Sequence, residues 1–92
     1  MADPQLQKRL ELLRKLFLDG YTTHDQVLRE LNAVSSALSD GNYQEKIRNA
    51  IEWYEIYASP RRSDKFGGRD SVRASFLQQL GSATDVAAGR LK

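Results

Sequence analysis

Apolar residues recur along this chain at helical spacing in three successive stretches, and that periodicity restricts the fold more than any other feature. Leu6, Leu10, Leu13 and Phe17 form the first stripe, and Val27, Leu31, Val34 and Leu38 the second. Tyr43, Ile47, Ala50, Tyr54 and Tyr57 form the third, within roughly 80° of arc at 100° per residue. A side-chain period near 3.6 suits helices and is incompatible with half-buried strands, which need a period of two. Start and stop signals frame each stripe. Asp3 is placed to cap with Pro4 at the first helical position, and Gly20 stops the helix. Thr23 and Gln26 have capping-box spacing, and Asp40-Gly41 ends the second stripe. Asn42 is placed to cap the third helix with Glu45 at its N3 position, and Pro60 disfavours helix at Ser59.

The expected fold is therefore all-α. It is a compact helical bundle of three main helices, at about 4–19, 23–39 and 43–58, plus one or two shorter C-terminal helices at about 70–80 and 83–90. Asp70 is placed to cap the first of these, which carries Val72, Phe76, Leu77 and Leu80, and Gly81 is expected to break it. Ser82 and Asp85 have capping-box spacing ahead of Val86, Ala87, Ala88 and Leu91. With 92 residues, one domain over 1–92 is expected, with an exposed basic loop at 59–69 and a fraying C-terminus.

Composition narrows the function classes. No run of 18 apolar residues suggests a membrane span, and Met1-Ala2-Asp3-Pro4 lacks the basic and apolar regions of a signal peptide. The absence of cysteine excludes disulfides and thiolate metal sites and suits a cytoplasmic or nuclear setting. The net charge of +2 is unevenly spread. Residues 21–58 carry three basic and six acidic side chains, whereas residues 59–92 carry seven basic and three acidic. Either the basic portion docks on the acidic middle, or it meets an anionic partner.

Catalytic signals are sparse. His24 is the lone histidine, Gly67-Gly68 lacks the Lys-Ser/Thr of a phosphate loop, and no Gly-x-Ser-x-Gly elbow occurs. Glu52 and Glu55 fall opposite the tyrosine stripe, where solvent rather than a buried acid–base pair is expected. The sequence thus predicts no enzyme, no metal, no cofactor and no small-molecule substrate.

Two surfaces remain as binding candidates. Leu12 and Leu16 widen the first helix beyond one apolar face, while Trp53 lies at the edge of the third stripe and Ile56 well outside it. These four predict a protein–protein interaction module, a small adaptor or regulatory protein, or a homodimer. The alternative is nucleic-acid binding, with a helix-turn-helix type among its forms, through Arg61, Arg62, Lys65, Phe66, Arg69 and Arg73. A winged variant would set Arg61, Arg62 and Lys65 on a wing, but no alternating strands flank them. Ser59-Pro60 and Arg61-Arg62-Ser63 also offer phosphorylation patterns.

The run Ala37-Leu38-Ser39-Asp40-Gly41-Asn42-Tyr43, followed by a helix containing Trp53, resembles the C-terminal helical domain shared by steroid receptor RNA activator protein and a COPII outer-coat subunit. The likeness spans about residues 9–58 and departs from the pattern where Tyr54-Glu55 follows the tryptophan. It implies a helical interaction domain.

Overall fold

Each of the three stripes becomes one side of a helix, and together they close a bundle. The computed structural model describes residues 3–90. The helices are α1 (Pro4–Leu18), α2 (His24–Ser35), α3 (Gly41–Tyr57), α4 (Pro60–Asp64) and α5 (Arg69–Ala87). The chain is all-α, and no strand occurs among the described residues. α5 packs on α3, α3 on α2, α2 on α1 and α1 back on α5, so four helices form a ring around one core. The short α4 lies outside the ring against α3 and α5. Among the four seams, the one between α1 and α2 is the least closely packed.

The core consists of the predicted stripes plus one face of α5: Leu10, Leu31, Ile47, Tyr43, Phe76 and Leu80 are all fully buried. Burying side chains of this size contributes roughly 1.5–3 kcal/mol each. The two deep tyrosines need hydroxyl partners, and both have them. Tyr43 donates to the Val34 carbonyl at 2.7 Å, and Tyr54 is hydrogen-bonded to His24 Nδ1 at 2.6 Å. No buried side-chain polar atom lacks a partner among the described residues.

The caps explain the helix starts. Asp3 accepts from the Leu6 amide at 3.0 Å, and Thr23 and Gln26 complete the reciprocal capping box. Asp3 also donates its own amide to the Ala87 carbonyl at 2.7 Å, which ties the start of α1 to the end of α5.

Several boundaries differ from the sequence expectation. The third helix is capped by Asp40, which accepts from the Tyr43 amide at 3.0 Å, so Asn42 lies inside the helix. α2 ends at Ser35, not residue 39; the Ser35 hydroxyl donates to the Asn32 carbonyl, a local bond that competes with continued helix. Residues 59–69 are not a plain loop, because α4 forms within them. Gly68, not Asp70, occupies the N-cap of α5.

The largest difference is at Gly81, which does not break the helix: α5 runs for 19 residues through it, and the Ser82–Asp85 cap is not used. Phe76 and Leu80 before the glycine and Ala83, Thr84 and Ala87 after it are all buried. Continuous packing on both sides outweighs the roughly 1 kcal/mol penalty of an interior glycine. Leu91 of the expected last helix lies outside the described residues.

Candidate functional site

Leu12 and Leu16 stand one turn apart on α1. At 100° per residue they lie roughly 100° to the side of the buried line through Leu6, Leu10, Leu13 and Phe17. Leu12 is 55% and Leu16 36% exposed. Leu16 borders a groove of about 320 Å³ in the loose α1–α2 seam, together with Leu13, Tyr21, Gln26, Arg29 and Glu30. Tyr21, in the turn between the two helices, is 77% exposed. Arg9 and Glu30 form a bidentate ion pair across the same seam, the second contact being 3.1 Å. The hydrogen bond and charge of Glu30 raise the Arg9 pKa further above its ordinary value.

Trp53 and Ile56 are not part of that surface. Ile56 is 8% exposed, and α4 lies against the segment that carries it. The α4 residue Ser63 is itself buried and donates its hydroxyl to the Ile56 carbonyl at 2.7 Å. Trp53 is half-buried, with the Phe66 ring edge-on at 5.4 Å. The off-stripe isoleucine thus packs against a later piece of its own chain, as a short helix occupies a segment whose composition suggests a loop.

The basic residues are placed by α4, the turn after it, and the start of α5. Arg61, Arg62 and Lys65 are exposed. Arg69 lies over the Tyr57 ring at 4.5 Å and Arg73 over the Phe17 ring at 5.7 Å. No wing exists, since the segment is helical and turn-like with no strand among the described residues. The segment does pack on the middle of the chain, with Phe66 against Trp53 and Arg69 over Tyr57, but it does so without ion pairs. Among the described residues the ion pairs are Arg9–Glu30 and Arg90–Asp85, and neither joins residues 59–90 to residues 21–58.

Behind Arg69 and Arg73 lies an aromatic cluster. Tyr54 contacts Phe17, Tyr57 and Phe76 with ring centroids 6.0, 5.9 and 5.2 Å apart. Burial pushes the pKa values of Tyr43 and Tyr54 up to about 12, so both phenols act as neutral hydrogen-bonding groups. No cluster of three or more His, Asp or Glu side chains that could hold a metal occurs among the described residues. Glu52 and Glu55 are both exposed. No helix among the described residues is long and apolar enough to cross a membrane.

Three features escaped the sequence reading: Tyr21 beside the groove, the His24–Tyr54 bond, and the seating of Arg69 and Arg73 on rings. Four-residue spacing in Trp53/Tyr57 and Arg69/Arg73 is the available signal for the last of these, since it aligns each pair on one helix face. The turn at Gly67-Gly68 that brings the two faces together carries no such signal. No family model, curated protein or solved structure matches the sequence.

Proposed function

We propose that this chain is a non-enzymatic protein–protein interaction module that docks its partner along the α1–α2 seam. The observation that carries the reading is the concentration of exposed apolar bulk. Of the five large apolar side chains that stand exposed among the described residues, four (Leu12, Leu16, Leu18 and Tyr21) belong to one ten-residue stretch. Leu12, Leu16 and Tyr21 rim or adjoin the most loosely packed seam of the bundle. An apolar rim around an open groove fits a partner that lays one apolar helix face into it. That partner is another protein or a second copy of this chain. The lack of cysteine agrees with a reducing compartment, cytoplasmic or nuclear.

The testing pair is Leu12→Glu with Leu16→Glu, both at exposed positions where a charge leaves the core intact. Sedimentation of the parent chain over a range of concentrations, and affinity capture with parent and variant side by side, supply the readouts. The expected result is self-association or a captured partner that the double variant loses. A strict monomer whose captured proteins are all retained by the variant would overturn the reading.

A further inference from the structure

Trp53 and Tyr57 lie one turn apart on α3, which sets both on one side of the helix. Each is met by a residue from the following segment. Phe66 sets its ring against Trp53 at 5.4 Å, and Arg69 lays its guanidinium over Tyr57 at 4.5 Å. One turn further along α5, Arg73 sits over Phe17, whose ring is 5.6 Å from that of Tyr57. Rings and cations thereby alternate where α1 and α3 end and α5 begins, and the intervening α4 and its C-cap carry the exposed Arg61, Arg62 and Lys65.

Two properties of this row point outward. First, its cations have no carboxylate partners: neither Asp64 nor Asp70, the acids within the segment, pairs with any of them, and no other acid among the described residues does. Arginines seated on rings are held in place without being neutralised, so their charge remains available to an anion. Second, Phe66 is 48% exposed even with the Trp53 ring edge-on against it. An exposed ring beside unpaired cations suits a ligand that offers a flat π-face and a negative charge in each repeat.

We infer that this face binds single-stranded nucleic acid, with phosphates on Arg61, Arg62, Lys65, Arg69 and Arg73 and an unstacked base against Phe66. A duplex hides its base faces, whereas a single strand can offer one to the open ring of Phe66, which favours the single strand. The inference concerns a different face from the α1–α2 seam and does not depend on it.

Trp53 is the single tryptophan of the chain, so its emission reports directly on the ring against Phe66. The experiment titrates labelled oligo-dT and oligo-rU, and a duplex of equal length, while following anisotropy and Trp53 emission over a salt series. Polyglutamate and phosphatidylserine vesicles serve as competing polyanions. The expected result is single-strand binding at least tenfold tighter than duplex, a change in Trp53 emission, and a slope of log affinity against log salt of about −3, from four or five phosphate contacts. Phe66→Ala is expected to weaken binding about tenfold. Arg61→Gln with Arg62→Gln, on the exposed side of α4, is expected to flatten the slope, while Lys8→Gln with Arg14→Gln on α1 leaves binding unchanged. Circular dichroism verifies that each variant folds. Any of these results would overturn the inference: no binding at low salt, equal or tighter binding of duplex, polyglutamate or vesicles, or single-strand binding that neither the Phe66 nor the Arg61/Arg62 variant alters.

Discussion

His24 Nδ1 lies 2.6 Å from the hydroxyl oxygen of Tyr54, a bond that joins the first turn of α2 to the buried middle of the aromatic cluster. The Tyr54 ring is buried, whereas His24 is largely exposed, so a surface residue supplies the partner that an interior hydroxyl needs. Removing the imidazole leaves that hydroxyl with whatever water can reach it. His24→Ala is therefore expected to cost about 1–2 kcal/mol, and Tyr54→Phe about 1 kcal/mol. Because both changes delete the same bond, the double variant should lose less than the sum, with a coupling of about 1 kcal/mol. Urea unfolding of the four proteins measures this, and strict additivity would mean the bond contributes nothing.

Alkaline pH should unfold the protein through its deep tyrosines. Desolvation holds the Tyr43 and Tyr54 pKa values at about 12, against an ordinary value of 10.0. Above pH 10 the unfolded chain surrenders these protons while the folded chain keeps them, so unfolding releases protons and stability falls as pH rises. The contribution is intact below pH 10 and lost progressively towards pH 12. Parallel titrations of tyrosinate absorbance and helical ellipticity should show the late tyrosine step coinciding with loss of helix. Full ionisation of all tyrosines with the helices still intact would contradict this.

Two glycines should respond oppositely to alanine. Gly68 has φ +99 and ψ 171, a backbone region that is essentially glycine's alone, and there it turns the chain from α4 into α5. A Cβ at this position meets nothing within 4 Å, so the effect is purely one of backbone conformation. Gly68→Ala is expected to cost about 1–3 kcal/mol. Gly81 lies inside α5 with ordinary helical geometry and equally open surroundings. Gly81→Ala is expected to stabilise by about 0.5–1 kcal/mol, mainly by reducing the freedom of the unfolded chain. Thermal unfolding midpoints of the two variants should move in opposite directions.

The first three helices were legible from their stripes and from the caps at Asp3 and Thr23, because each is a local property of consecutive residues. Leu6 to Phe17, Val27 to Val34 and Tyr43 to Tyr54 all bury as their spacing implies. The failures at Gly81 and Ile56 were decided by distant segments. Gly81 reads as a breaker by propensity, yet buried neighbours on either side hold it in a helix. Ile56 reads as exposed from its angle on α3, yet α4 lies against that region. The candidate surfaces were half legible for the same reason. Leu12 and Leu16 stand exposed because no later element returns to cover them, while Trp53 and Ile56 are met by residues some ten positions on. The cation–aromatic row needed the turn at residues 67–68, whose direction no periodicity records.

Asp3 performs two tasks with separate atoms: its carboxylate holds the Leu6 amide, and its own amide is held by the Ala87 carbonyl. The outer turns of the first and last helices are thereby clasped to each other. In most bundles the two extremities loosen independently and are the first sites nicked by proteases. Here the opening of one deprives the other of a hydrogen bond, so exchange of their amides with solvent is expected to be coupled.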